Sequence, residues 1–372
     1  RERAHPRAMA DIQGKIKEIE TQLSSVKYNK STEHAFGVMK AQLAKLREKQ
    51  EKRMASKGGG KGFFVKKSGN ATVVLLGFPS VGKSSLLNVI TGAKSAVAAY
   101  AFTTLTVIPG TLVHKQAQIQ VLDVPGIVEG AASGRGRGKE VLAMVRNADM
   151  ILILLDALHP EHYPVLLREI YETGVRINAS PPDVRVMKRS RGGLSISSTV
   201  SLKIDKGTLE AILREFRIGN ADIVIRSQLN VDEFIDALEG NKSYIPTITV
   251  INKIDMVDNA TRRNLIAAVK PNLVVSAHTG ENLDKLKDVI YDGLRFIRIY
   301  LKEVNKKPDM DIPLVLTTGA TLKSVCEHIH RDFVKKFRFA RVWGKSAKFP
   351  GQQLRSLDFK LADGDVVEVH TS

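Results

Sequence analysis

Two periods of apolar residues alternate along the chain, and the points where one replaces the other divide it. Ile12, Ile16, Ile19, Leu23 and Val26 recur at four-and-three spacing, which predicts one amphipathic helix. Tyr28 to Thr32 interrupt that stripe, and Met39, Leu43 and Leu46 begin a second, so the N-terminal arm reads as a helical hairpin. The run 57–62, Lys-Gly-Gly-Gly-Lys-Gly, then reads as a flexible linker. Beyond it the pattern becomes short β-branched runs without polar alternation: 71–77, 119–122, 152–156, 248–251 and 273–275. Such runs predict strands buried on both faces, as in a mostly parallel sheet with helices on either side. Residues 83–90 have helical spacing, and Leu283, Leu286, Ile290, Leu294 and Ile297 predict a helix that closes this domain.

The separation between the runs 152–156 and 247–251 is far more than one crossover helix needs. Val184–Met187 and Leu194–Ser197 flank Lys188–Gly193, which reads as a hairpin with a basic tip. Helix, strand and helix patterns follow at 209–216, 223–225 and 231–238, so a small α/β insert is expected. After Pro308 come a strand at 314–316, a helix through Leu322, Val325, Ile329 and Phe333, and strands at 339–343 and 365–369. This order is β-grasp-like. Trp343 is expected in the core or at an interface, not as a platform for stacked bases. The expected organisation is a hairpin and linker over 1–62, an α/β domain over 63–171 and 244–307, an insert over 172–243, and a β-grasp domain over 308–372.

Charge adds a partner class. The net charge is +18, and residues 1–67 hold 17 Lys and Arg against 7 Asp and Glu, more than half of the excess. A one-signed concentration of this kind points to ribosomal RNA or an acidic partner. A solvated helix pair is the plainer alternative. The C-terminal 64 residues are nearly balanced, with 10 basic and 8 acidic groups. One cysteine, Cys326, rules out an internal disulfide and suits a reducing compartment. No apolar stretch reaches the length of a membrane span and no signal pattern is present, so a cytoplasmic location is expected.

The chemistry resides in four loops. Gly77, Phe78, Pro79, Ser80, Val81, Gly82, Lys83 and Ser84 form a complete G-x-x-x-x-G-K-S phosphate loop between strand and helix, with Ser85 next. Its glycines let backbone N–H groups surround phosphates at a helix N-terminus. Lys83 would reach the outer phosphates and Ser84 would ligate Mg²⁺. Asn252, Lys253, Ile254 and Asp255 close another strand, and the Asp255 carboxylate can accept hydrogen bonds from N1–H and the amine of guanine. Adenine offers the opposite pattern. Ser276, Ala277 and His278 follow the next run and complete the expected base pocket. Asp123, Val124, Pro125 and Gly126 end a third strand. Asp123 would hold Mg²⁺ through water and the Gly126 N–H would touch the γ-phosphate. Phe102, Thr103 and Thr104 lie 20 residues past Ser84, and Thr104 is chosen to complete the Mg²⁺ shell. Lys83, Thr104 and Gly126 are thus the expected catalytic groups. Ile127 stands where many switch GTPases carry glutamine, so unaided hydrolysis should be slow. Arg135 and Arg137, in the basic loop 134–139, are solvated, RNA-contacting or transition-state cations.

The sequence resembles the Obg-related GTPases in the phosphate loop, Ala101–Leu105, Asp123–Gly130 and Ser276–Gly280. Ile177-Asn178, Pro181-Pro182, Tyr244–Pro246 and Val342–Gly344 bring it closer to the developmentally regulated GTP-binding proteins, from about Met9 onward. That resemblance implies a translation-associated GTPase with a C-terminal TGS domain, a GTP/GDP cycle, Mg²⁺, a hydrophobic residue in place of catalytic glutamine, and a monomer when free. It allows a regulatory protein partner. Potassium-activated relatives carry asparagine where Ser80 stands, which leaves K⁺ open. An Obg-like ribosome-assembly factor and an RNA-binding scaffold with structural GTP are the alternatives.

Overall fold

The computed structural model describes residues 4–55, 69–92, 98–99, 106–124 and 144–371. The chain separates into two compact units, 1–62 with 179–244 and 63–178 with 245–372.

The second unit is built on seven strands. They are β1 (Ala71–Leu76), β2 (Ala98–Ala99), β3 (Thr106–His114), β4 (Ala117–Asp123), β5 (Met150–Asp156), β11 (Thr247–Asn252) and β12 (Leu273–Val274), in the order β12-β11-β5-β1-β4-β3-β2. β12, β11, β5, β1 and β4 are parallel, while β3 runs antiparallel to β4. Every residue of β1, β5 and β11 is buried, which is why these segments lack polar alternation. Val74 and Leu76 face a core shared with Leu166 and Ile170 of α4 (His162–Glu172) and Leu265 of α7 (Asn259–Val269). Val73 and Leu75 face the opposite core, with Leu86, Leu87 and Ile90 of α3 (Lys83–Thr91) and Leu286 and Ile290 of α8 (Leu283–Gly293). Helices therefore cover both faces. The parallel registers, Leu75 opposite Asp123 and Asn252 opposite Asp156, align the carboxyl ends of β1, β4, β5 and β11 at one rim. Open α/β sheets bind ligands at that rim.

α8 ends at Gly293, and Arg295 at φ 49° turns the chain into β13 (Phe296–Leu301). Ile297, expected on the last helical face, instead lies in the core of the C-terminal sheet. That sheet runs β14-β13-β17-β15-β16, with β14 (Leu314–Thr317), β15 (Phe337–Trp343), β16 (Gln352–Leu354) and β17 (Val366–Thr371). The expected single helix through Phe333 is two. α9 (Leu322–Ile329) stops where His330 is extended, and the His330 ring accepts from the Asp332 N–H to start α10 (Arg331–Lys335). Trp343 shares the sheet face away from α9 with Phe339, two alternations earlier, and with His370, so of its two expected places the core under α9 is not the one it takes. The two domains of this unit touch where Asn70 donates its amide to the Val315 carbonyl at 2.8 Å.

In the first unit, α1 (Ala4–Ser25) and α2 (Glu33–Ala55) form the expected hairpin, tied by Arg47 to Glu20 at 2.8 Å. Ala41 of α2 is fully buried in one core with Leu209, Ile212 and Leu213 of α5 (Lys206–Glu215) and Phe234 of α6 (Val231–Glu239). Hairpin and insert therefore share a core, and Lys40 pairs with Asp232 at 2.6 Å. The insert's sheet overturns one expectation. β7 (Val184–Lys188) and β8 (Leu194–Ser198) do not pair as a hairpin, because β9 (Ala221–Ile225) lies between them, antiparallel to β7 and parallel to β8. β9 has the most buried residues of the three, and the basic loop arcs over its start through Gly193 N–H to the Asn220 side chain at 2.8 Å. Two short strands, β6 (Val175–Ile177) and β10 (Ser243–Ile245), border the insert in sequence.

Candidate nucleotide-binding site

The loop between β1 and α3 has the strained geometry its glycines permit. Gly82 sits at φ 93°, and a Cβ there would lie 2.5 Å from Nδ2 of Asn252. A Cβ on Gly77 would lie 2.5 Å from the Leu154 carbonyl of the neighbouring strand. No side chain caps the α3 N-terminus, so its N–H groups remain for an anion. Lys83 is buried and folds back to donate to the Gly77 and Phe78 carbonyls, both at 3.0 Å. Burial pulls its ammonium below the ordinary lysine range, and the nearby Asp123 carboxylate opposes that shift. Ser84 donates its hydroxyl to Oδ2 of the buried Asp123 at 2.5 Å. A hydroxyl and a carboxylate so placed are the hard oxygen pair that Mg²⁺ prefers, so these residues fit that ion.

A second loop closes the rim from β11. The Asn252 carboxamide donates to the Val81 carbonyl at 2.9 Å and accepts from the Ala277 N–H at 3.0 Å. One buried side chain thereby joins the phosphate loop, the end of β11 and the segment after β12. Lys253, at φ 61°, leaves the strand and pairs with Asp156 at 2.7 Å. Asp255 lies on a single 3₁₀ turn, Ile254–Met256, and is exposed. A hydrogen bond from Ser276 holds its carboxyl below the usual aspartate range; desolvation works against this, and a backbone bond and His278 add to it. Ser276 itself is fully buried and accepts from the Thr279 N–H at 3.0 Å.

The expected residues Gly77–Ser85, Asp123, Val124, Asn252–Asp255 and Ser276–His278 thus converge on one rim. Phe102, Thr103, Thr104, Pro125, Gly126, Ile127, Arg135 and Arg137 fall outside the described residues. Two contributors went unrecognised in the sequence. Asp156 anchors Lys253, and its signal was an acid closing an apolar strand at the same rim. His162 stacks on Phe78 of the phosphate loop at 4.2 Å with rings 16° apart, and no local pattern announces that contact.

A mostly parallel sheet with a phosphate loop after its central strand and an N-K-x-D loop at the same rim defines a P-loop GTPase. The model of the 50S ribosome-binding GTPase family matches residues 72–188, and that of the C-terminal region of the MMR_HSR1 domain matches 191–296. A TGS domain model matches 297–371. The chain belongs to the developmentally regulated GTP-binding protein family. It is 53% identical to a GTP-binding protein of Methanocaldococcus jannaschii, over 96% of this chain and 92% of that one. It is 43% identical to the developmentally-regulated GTP-binding protein 1 homolog of Dictyostelium discoideum, over 95% and 98% of the two chains. With the Xenopus laevis developmentally-regulated GTP-binding protein 1 the figures are 41%, 97% and 99%. Among the described residues no helix is long and apolar enough to cross a membrane.

Proposed function

We propose that this protein hydrolyses GTP as a cytoplasmic switch whose two nucleotide states are read by the ribosome. The observation that carries the reading is the Asn252 clamp, which ties the N-K-x-D loop and the segment after β12 to the phosphate loop. In this reading Asp255 accepts from guanine, with Lys253 along the base and the backbone of Ser276, Ala277 and His278 around it. Backbone N–H groups of Phe78 and of residues 80–85 hold the phosphates, and Lys83 leaves its two carbonyls for them. Ser84, and Asp123 through a water, hold Mg²⁺, with Thr104 as a further ligand. When bound, that ion neutralises charge that develops on the transferred phosphoryl group. Thr104 through the ion and the Gly126 N–H directly depend on the γ-phosphate, so its loss releases both contacts.

Ile127 can neither donate to nor accept from water, so the orienting group must come from elsewhere, and a ribosomal complex is the natural supplier. The same residue favours one second reading, a scaffold that keeps GTP as a structural ligand. The basic N-terminal arm supports an rRNA partner in either case. Co-sedimentation with ribosomes separates the two. A switch pellets differently with GDP and with a non-hydrolysable GTP analogue, whereas equal pelleting with both contradicts the switch.

A further inference from the structure

The C-terminal sheet has two unlike faces. Ile297, Ile299, Ala340 and Val342 turn one of them to Leu322 and Val325 of α9. On the other, Phe339, Arg341 and Trp343 alternate along β15, directly opposite His370, Glu368 and Val366 of β17. Continuing the parallel register of β13 brings Lys302 beside Glu368, and the two are in contact. The result is three rows across the strands: an aromatic pair, an ionic row and a tryptophan. Rows two residues apart are separated by about 7 Å, so the two aromatic rows stand about 13 Å apart.

The ionic row is internally braced. Glu368 is only 2% exposed, with His370 Nε2 at 2.6 Å and an Arg341 nitrogen at 3.9 Å. Phe339 and His370 stack at 4.2 Å with planes 18° apart. Lys302 Nζ lies 5.1 Å from the centre of the Trp343 ring. One buried carboxylate thus fixes a lysine and a histidine, each against an aromatic ring, while Arg341 keeps 49% of its side-chain surface. Two cations against one buried anion leave the row net positive.

We propose that this face is a platform for single-stranded RNA. Unpaired bases stack on the Phe339–His370 pair and on Trp343, and the intervening phosphates lie over Arg341 and Lys302. A duplex hides its base faces and cannot use aromatic rows, whereas a single strand offers both groups the platform recognises. An acidic protein segment would satisfy the cations and leave the rings idle, so the array favours RNA. The inference rests on the ribosomal reading only for the source of that RNA.

Trp343 is the one tryptophan of the chain, so its fluorescence reports on this face alone, whatever the basic arm binds. The full chain is titrated with a short oligouridylate, with duplex RNA of the same length, and with polyglutamate. The oligouridylate is expected to quench Trp343. Phe339→Ala and His370→Ala should each weaken that response roughly ten- to a hundredfold, with GDP binding unchanged and Phe339→Tyr close to wild type. No quenching, or quenching by duplex or polyglutamate as strong as by the single strand, overturns the platform. Ribosome pelleting is scored separately. Wild-type protein that quenches but does not pellet contradicts the ribosomal source and leaves the platform standing. A Phe339→Ala variant that keeps full quenching sinks the platform whatever pellets.

Discussion

Asn252 and Gly82 stand closer than any side chain on Gly82 would allow: a Cβ there would come within 2.5 Å of the Asn252 amide nitrogen. The two loops of the site are thus fitted to each other, and each change to the fit has a definite consequence. Gly82→Ala pushes the amide off Val81 and strains a residue at φ 93°. Asn252→Ala leaves the Val81 carbonyl and Ala277 N–H without this partner, at about 1–3 kcal/mol for each buried group. Both variants should lose about ten- to a hundredfold in GDP affinity by titration calorimetry. Unchanged affinity in Asn252→Ala would show that the clamp does not organise the pocket.

Asp255→Asn should exchange one base for another. An amide can donate to the C2 carbonyl of xanthine, where the carboxylate accepts from the guanine amine. GDP binding should fall by a factor on the order of 10⁴, with xanthosine diphosphate gaining. Ser276 holds the Asp255 carboxyl below its usual range, so guanine binding persists as pH falls until the lowered value is crossed. Ser276→Ala should move that loss to higher pH.

Lys83 also has a lowered pKa, but from burial and not from a hydrogen bond. Its folded pKa is lowered by burial, so the unfolded lysine keeps its proton to higher pH. Stability of the nucleotide-free protein should therefore rise with pH between the lowered value and the ordinary one near ~10.4. A bound triphosphate restores the charge, so GTP binding in that window takes up a proton. Calorimetry in two buffers of different ionisation heat should detect the uptake, and Lys83→Met should remove it.

Glu368 braces the C-terminal sheet. Burial alone would raise its carboxyl, but hydrogen bonds from Lys302 and His370 outweigh burial and hold it below the usual glutamate range. Its stabilisation is present above ~4.3 and lost as pH falls through the lowered value. Glu368→Gln should cost about 2 kcal/mol in urea unfolding, less than a fully buried pair, because Lys302 keeps 20% of its side-chain surface. The acid slope should shrink with it.

What the sequence disclosed follows from how local each signal is. The fully buried runs 71–76, 150–156 and 247–252 have only one arrangement open to them, and strand ends carrying Gly77, Asp123 and Asn252 reveal the rim. β7 and β8 read as a hairpin because neighbours in sequence usually pair, whereas β9, with more to bury, took the central place. The break at His330 was hidden because Ile329 and Phe333 keep helical spacing across it. The core shared by Ala41 and Leu209 and the row shared by Phe339 and His370 depend on contacts between distant segments, which no periodicity encodes.

The central claim is that this rim turns over GTP and that the ribosome supplies what Ile127 lacks. The most direct measurement is phosphate release by purified protein with and without ribosomes, in sodium and in potassium, with Lys83→Ala as the blank. The account predicts slow release alone and acceleration by ribosomes that Lys83→Ala abolishes. Tight GTP binding with no release under any of these conditions would contradict it.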